Sequence, residues 1–248
     1  MSQTAAEKFP HEQLKYSAGE PRATQPLVLY HSVESACAQK VRLVMSEKHL
    51  AWTEVLLNLR KGEQFDPNYL SLNAKGVVPT LVHAGNVIRE STVINEYLDQ
   101  VFPQPSLKPA DPGAQARMRL IVKTVDDDVH PAIGILSYAL VLRHQMNELK
   151  SPEEMREHFA KVVDPMRRER QRGVHEQGMA APGATVALMT LGKTLDYLER
   201  SLSPGPWLAG ETYSLADAAV APYMVRMDGL RLASLWEGKP KFSAWYQR

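Results

Sequence analysis

The first hundred positions alternate between short apolar runs and amphipathic helical stripes. "LVLYH", starting at Leu27, is a five-residue apolar run and predicts a strand. The next segment, "SACAQKVRLVMSEKH", predicts a helix with its apolar residues on one face. These residues are Cys37, Val41, Val44 and Met45. "LAWTEVLL" then predicts a second strand, parallel to the first because strand–helix–strand connections cross over right-handedly.

The pattern continues with a short helix around Asp66 to Leu72 and two further strands, "PTLVH" and "NVIRE". Ala84-Gly85 between these strands predicts a hairpin. "STVINEYLDQVF" predicts a helix that opens with the hydroxyl of Ser91 as its cap. The order β-α-β-α-β-β-α therefore predicts an α/β domain over residues 27–102, preceded by a loosely ordered polar arm over residues 1–26.

A proline-rich segment, "PQPSLKPADP" over residues 103–112, predicts an interdomain linker. After it the apolar residues follow a 3.6-residue period, which predicts an all-helical domain over residues 113–248. One stripe comprises Met118, Ile121, Val122, Val125, Val129, Ile133, Leu136 and Leu140, and another comprises Leu188, Leu191, Leu195, Leu198 and Leu202. Pro131 predicts a kink in the helix that carries the first stripe. Ser214 and Asp217 have the spacing of a capping box.

Charge and composition exclude several classes of partner. With 29 basic and 28 acidic residues, the chain lacks the positive excess that nucleic acids or anionic membranes require. A single cysteine, Cys37, excludes internal disulfides and cysteine metal clusters and indicates the cytosol. The chain contains no run of about 18 apolar residues, which excludes a membrane-spanning helix. Consecutive helical residues such as Asp126, Asp127 and Asp128 point in different directions, so no metal site is predicted.

Four features together resemble the soluble glutathione S-transferase superfamily. They are the order of elements, the "GVVPTL…VIRESTVINEYL" run, the proline-rich linker and the capped "SLADAAVAPYM" helix, and they span roughly Leu27 to Arg248. The resemblance implies a thioredoxin-like α/β N-terminal domain that binds glutathione as co-substrate, and an all-α C-terminal domain for the second substrate. It also implies a homodimeric enzyme that joins the glutathione thiolate to a small hydrophobic electrophile.

The resemblance also assigns glutathione-binding residues. In this family the proline of the V-P pair is cis, so Pro79 is expected to be cis, and Val78 is expected to offer its backbone N–H and C=O to the cysteinyl part of glutathione. Glu90 and Ser91 are expected to hold the γ-glutamyl end, since a helix start suits a carboxylate and Glu90 can pair with an ammonium. "KGEQF" resembles a family segment that contacts the glycyl end, which nominates Gln64.

Catalysis requires a thiolate, and an ordinary thiol with a pKa of about 8.5 is mostly protonated at neutral pH. "HSVESACAQKVR" resembles the S-x-C motif of serine- and cysteine-type members, with alanine at two of its small polar positions. Ser35 falls on the serine that donates a hydrogen bond to the glutathione sulfur. Cys37 falls near the cysteine that other members use, which implies a mixed disulfide and thiol exchange. A buried apolar role for Cys37 is the alternative.

The second substrate is expected between the domains, with Val33 on one side and the helix from Val129 to Tyr138 on the other. "ESTVINEYLDQVFP", "LKPADP" and a polar insertion at about residues 151–183 resemble the bacterial β-etherase branch, in which glutathione displaces a phenol from an aryl ether. Three alternatives to general conjugation therefore stay open. They are β-aryl ether cleavage, cysteine-type thiol transfer, and non-catalytic binding of glutathione or another ligand.

Overall fold

The computed structural model describes Pro10 and residues 21–248, and most of the predicted N-terminal arm lies outside these residues. The chain divides into two compact units, Met1–Pro105 and Ser106–Arg248. Pro112, the last residue of the predicted linker, is the first residue of a helix.

Among the residues that the structure describes, the first unit contains one four-stranded sheet and three α-helices. The strands are β1 (Leu27–His31), β2 (Thr53–Leu56), β3 (Thr80–His83) and β4 (Asn86–Arg89). The helices are α1 (Ala36–Glu47), α2 (Pro67–Leu72) and α3 (Ser91–Val101). The spatial order is β2-β1-β3-β4, with β1 and β2 parallel and the other pairs antiparallel. The predicted order of elements, the parallel pair and the hairpin are all confirmed.

Strand β1 lies at the centre of this unit, and all five of its residues are buried. Because side chains alternate along a strand, Val28 and Tyr30 share one face, where they pack with Tyr69 and Leu72 of α2. Leu27, Leu29 and His31 on the other face are buried as well, and α1 and α3 pack against each other. The strand is therefore enclosed on both sides, which explains its continuous apolar sequence.

The second unit is helical. Its helices are α4 (Pro112–Thr124), α5 (His130–Ser137), α6 (Arg143–Leu149), α7 (Pro152–Ala160), α8 (Pro165–Gln177), α9 (Pro182–Ser201), α10 (Leu215–Gly229) and α11 (Pro240–Gln247). Both predicted apolar stripes are buried, apart from Leu140 and Leu188, which are half-buried. Among the described residues, no helix combines the length and the apolar character that crossing a bilayer requires.

Two π-helical segments, Val125–Val129 and Tyr138–Leu142, join α4, α5 and α6 into one continuous helix. At the first, the His130 N–H donates to the Val125 C=O, one residue further back than in an α-helix. Pro131 follows and has no N–H to donate, so the irregularity expected at this proline takes the form of a π segment.

The three consecutive aspartates, Asp126, Asp127 and Asp128, lie in the first π segment. In the described part of the chain, no cluster of His, Cys, Asp or Glu is arranged to hold a metal ion.

The predicted capping box at the start of α10 is confirmed and is completely buried. The carboxylate of Asp217 accepts from the Ser214 N–H and hydroxyl, both at 2.9 Å, through Oδ2. Its Oδ1 accepts from the Leu208 N–H at 3.0 Å and from Trp245 Nε1 at 2.8 Å. Burial raises the pKa of Asp217, and these four hydrogen bonds oppose that rise. Asp217 thus joins α10, α11 and the loop before α10.

Candidate active site

The strand register gathers three loops at one end of the sheet. Tyr30 near the end of β1 pairs with Thr80 at the start of β3, and Thr80 pairs with Arg89 at the end of β4. The loop after β1, the Val78–Pro79 loop before β3 and the start of α3 after β4 therefore share this end. The end of β2 joins them, since His31 pairs with Leu56. All glutathione-binding residues implied by the resemblance lie on these four connections.

Ser35 stands between β1 and α1 and is the N-cap of α1. Its Oγ accepts the Ala38 N–H at 3.2 Å, and its own N–H donates to the Ser32 C=O at 3.2 Å, which closes a turn. A hydroxyl that accepts a capping hydrogen bond still has its hydrogen to donate. The Ser35 hydroxyl can therefore donate to an anion that lies just beyond the start of α1, where the positive end of the helix also favours negative charge.

Cys37 is the second residue of α1 and is half-buried. The two residues that could stabilise the thiolate therefore lie close together at the start of α1. Ser35 is its N-cap and Cys37 belongs to its first turn, with Ala36 between them and Ala38 after Cys37. Tyr30 of β1 is fully buried, with its ring centroid 5.9 Å from that of Tyr69. Val33 lies in the turn before Ser35 and exposes 58% of its surface.

The Val78–Pro79 peptide bond is cis, as the resemblance implies. Val78 and Pro79 are buried and their side chains are apolar, so only their backbone groups can make polar contacts here. Neither the N–H nor the C=O of Val78 makes a hydrogen bond to another residue that the structure describes. An extended peptide can pair with such a residue through both groups.

Two residues that the sequence analysis missed hold this loop from α2 and its end. The Tyr69 hydroxyl donates to the Val77 C=O at 2.6 Å, and Asn73 Nδ2 donates to the same oxygen at 3.0 Å. Both side chains also contact Thr80 Oγ1, at 2.9 Å and 3.1 Å. Burial raises the pKa of Tyr69 to about 12, so its hydroxyl stays protonated. No local sequence pattern identifies these two residues, because their hydrogen bonds form only when α2 folds over the loop.

Helix α3 begins differently from the prediction. Ser91 is its first residue rather than its cap, and Glu90 occupies the N-cap position with a φ of 65° and no side-chain cap. The expectation of a capping hydroxyl at Ser91 is therefore wrong. Ser91 is buried, and its hydroxyl makes no hydrogen bond to another described residue. Glu90 is exposed and pairs with Lys75 at 2.6 Å. The start of α3 thus presents a hydroxyl and N–H groups that suit a carboxylate, beside an acidic side chain that suits an ammonium.

Gln64 lies in a short 3-10 turn, Glu63–Phe65, and is only 5% exposed. Its Nε2 donates to the Leu59 C=O at 3.3 Å. Its Oε1 is buried and has no hydrogen-bond partner among the described residues. A buried acceptor without a donor is costly, so this oxygen is a suitable partner for a ligand N–H.

Tyr138, predicted to line the second-substrate site, lies in the second π segment of the helical unit. Its ring packs with Met146 and Phe159, and its hydroxyl is 3.3 Å from His175 Nδ1. Burial raises the pKa of Tyr138, which keeps the phenol protonated. The contacts of Tyr138 are therefore those of a packed aromatic residue within its own unit, and its role toward a substrate stays a prediction.

Comparison with known proteins identifies the family. The family model of the glutathione S-transferase N-terminal domain matches residues 34–101, and that of the C-terminal domain matches residues 153–248. LigF from Sphingobium sp. strain SYK-6 is 33% identical over 193 residues, which cover 77% of this chain and 75% of LigF. The crystal structure of β-etherase LigF from the same organism matches with a TM-score of 0.80 and 31% identity, covering 90% of this chain and 93% of that one.

A second relative matches over a smaller part. Maleylacetoacetate isomerase of Pseudomonas aeruginosa is 38% identical over 106 residues, which cover 42% of this chain and 50% of that enzyme. Both family models and the long match to LigF agree with the architecture of a mixed-sheet N-terminal unit and a helical C-terminal unit. The chain belongs to the glutathione S-transferase family, whose enzymes use glutathione as co-substrate.

Proposed function

We propose that the protein is a glutathione transferase that cleaves β-aryl ethers. The glutathione thiolate attacks the carbon that carries the aryloxy group, a C–S bond forms, and the C–O bond breaks. The phenolate leaves with the electron pair and takes a proton from solvent. The observation that carries this proposal is the similarity to β-etherase LigF, which extends over 90% of the chain.

Ser35 stabilises the nucleophile in this proposal. Its hydroxyl donates to the glutathione sulfur while its oxygen still caps α1. Lowering the thiol pKa by about two units, worth about 2.7 kcal/mol, makes the thiolate dominant at neutral pH. A charge-assisted hydrogen bond together with the positive end of a helix can supply an effect of this size.

Glutathione would lie along the loops at the end of the sheet. Its cysteinyl backbone pairs with the N–H and C=O of Val78 beside Pro79. Its γ-glutamyl carboxylate binds at the start of α3 with Ser91, and its ammonium pairs with Glu90. Support for a further contact to the glycyl half comes from the buried, unpartnered Oε1 of Gln64.

The test uses an α-keto β-aryl ether whose leaving phenol is fluorescent. The expected result is release of the phenol only when glutathione is present, together with a glutathione thioether of the remaining half detected by mass spectrometry. Ser35→Ala is the matched control and should slow release without removing glutathione binding. Conjugation of an aryl halide with no release from the ether would contradict ether cleavage and leave a general transferase.

Cis–trans isomerisation is a second candidate, favoured by the 38% identity to the Pseudomonas isomerase. In such a reaction the thiolate adds to a double bond and then leaves, so glutathione is regenerated. Stoichiometry separates the two functions. Ether cleavage consumes one glutathione for each phenol released, whereas isomerisation of maleylacetoacetate consumes none.

We also expect Val33 to contact the second substrate, because it is exposed in the turn before Ser35. Tyr138 is the corresponding candidate in the helical unit. A homodimer in the cytoplasm is expected for a member of this family. Light scattering coupled to size-exclusion chromatography tests whether the protein is a dimer. Cell fractionation tests whether it lies in the cytoplasm.

A further inference from the structure

The guanidinium of Arg42 links α1 back to the turn that precedes the helix. Its Nη1 donates to the Ser32 C=O at 3.3 Å, and its Nη2 donates to the Val33 C=O at 3.1 Å. Gln39 Nε2 donates to the same Val33 oxygen at 3.3 Å. These carbonyls lie three and two residues before Ser35, so Arg42 contacts the part of the chain that sets where Ser35 stands.

A second contact holds the guanidinium itself. Arg42 Nη1 lies 2.9 Å from His31 Nδ1, and His31 Nε2 lies 2.8 Å from Glu54 Oε1. A guanidinium can only donate, so Nδ1 accepts, and the ring proton is on Nε2, which donates to the carboxylate. His31 is fully buried, and this burial together with the Arg42 charge lowers its pKa, which favours the neutral ring. Glu54 on β2 therefore orients His31, and His31 orients Arg42.

We propose that Arg42 is a positioning residue, which fixes the Ser32–Ser35 turn and so directs the Ser35 hydroxyl at the glutathione sulfur. This inference rests on the role proposed above for Ser35. No contact between Arg42 and glutathione is required. The arginine acts through the two backbone carbonyls, and Glu54 and His31 support it from the neighbouring strands.

The geometry explains why one side chain has this effect. The Ser32 C=O accepts both from Arg42 and from the Ser35 N–H that closes the turn, so the two hydrogen bonds brace the same peptide. Without Arg42, the turn keeps the Ser35 N–H at 3.2 Å, the side chain of Gln39 and the pair between Arg60 and Glu34 at 2.7 Å, but neither Ser32 nor Val33 keeps its bond to the guanidinium. Hydrogen bonds weaken steeply when their angle opens, and a displacement of about 1 Å in an active site can cost about a hundredfold in rate.

A rival explanation is that Arg42 acts only through its positive charge, which favours a nearby thiolate through space. The two explanations differ in whether a lysine at position 42 can replace the arginine. Arg42→Lys keeps the charge but loses the planar fork that reaches two carbonyls and an imidazole together. Arg42→Met loses both. If positioning is what matters, the two variants should behave alike.

The experiment measures the pKa of the bound glutathione thiol from its ultraviolet thiolate absorbance as a function of pH. The proteins are the wild type, Ser35→Ala, Arg42→Met, Arg42→Lys and the control Arg89→Met. Arg89 donates from β4 to the Leu72 C=O, so its loss removes the same charge and the same kind of contact without removing a hydrogen bond to the Ser32–Ser35 turn. Glutathione affinity by calorimetry and the melting temperature are measured for each protein, and Arg42→Lys serves if Arg42→Met does not fold.

Both Arg42 variants are expected to raise the pKa of the bound glutathione thiol by about one unit, which makes the thiolate fraction about tenfold smaller at low pH. The affinity for glutathione is expected to change less than about threefold. Arg89→Met is expected to leave the thiol pKa unchanged. A wild-type thiol pKa in Arg42→Met, alongside a raised value in Ser35→Ala, would overturn the inference, as would full restoration by Arg42→Lys. An unchanged thiol pKa in Ser35→Ala would show that the proposed role of Ser35 itself fails, and the positioning role with it.

Discussion

Replacing Asp217 by asparagine is expected to destabilise the helical unit strongly, although the two side chains have nearly the same shape. The carboxylate accepts four hydrogen bonds, two at each oxygen. Asparagine offers one oxygen and one NH2 group, so one pair of donors must face another donor. The substitution therefore creates buried unsatisfied groups without creating a cavity.

The size of the effect depends on how the amide turns. With its oxygen toward Leu208 and Trp245, the NH2 group faces Ser214, whose hydroxyl can rotate and accept while its N–H is left unpaired. In the opposite orientation the Leu208 N–H and the Trp245 indole N–H both lose their acceptor. The first orientation costs less, and one orphaned buried donor plus the lost charge-assisted hydrogen bonds amounts to about 2–4 kcal/mol. That is a large part of the roughly 5–15 kcal/mol by which domains are stable.

Urea unfolding followed by tryptophan fluorescence measures this loss. The matched control is Asp228→Asn, the same substitution on the exposed side of the same helix, which should change the free energy of unfolding by less than about 0.5 kcal/mol. The reasoning is refuted if Asp217→Asn lies within that same margin of the wild type, since the four donors would then have found other acceptors.

Three further outcomes follow from single residues. Cys37→Ala should keep kcat/KM within about threefold of the wild type and abolish any mass gain of one glutathione under mild oxidation, and a large loss of turnover would favour the cysteine-type mechanism. Glu90→Gln should raise the KM for glutathione about two- to fivefold with stability nearly unchanged, because the Glu90–Lys75 pair is exposed; an unchanged KM would remove Glu90 from the site. Burial lowers the pKa of His158 from 6.5 to about 4, so the folded state binds fewer protons and stability is lost as pH falls from about 6.5 toward 4. His158→Gln should reduce that loss in urea unfolding at several pH values, and an identical pH dependence would contradict it.

The elements of this fold could be predicted because each has a local signal. Apolar runs and turn residues located the strands and the hairpin, and the 3.6-residue stripe located the long helices. The Ser214–Asp217 spacing identified a capping box because both partners belong to one helical turn. Features of this kind depend on neighbouring residues along the chain.

The features that the sequence analysis missed depend on contacts between distant segments or on unusual backbone. A positive φ is uncommon outside glycine, and no sequence signal indicated one at Glu90, so the predicted start of α3 was one residue too late. The hydrogen bonds of Tyr69 and Asn73 to the Val77 C=O form only when α2 folds over the loop. Arg42 reaches the turn because its helix follows directly, but its link to Glu54 requires the pairing of β1 with β2.

A crystal structure of the protein with glutathione tests the central claim most directly. The account predicts that the glutathione sulfur lies within hydrogen-bonding distance of Ser35 Oγ and that the cysteinyl backbone pairs with both polar groups of Val78. It also predicts the γ-glutamyl end at Glu90 and Ser91. A tripeptide bound elsewhere, or one whose sulfur is bonded to Cys37 and turned away from Ser35, would contradict it.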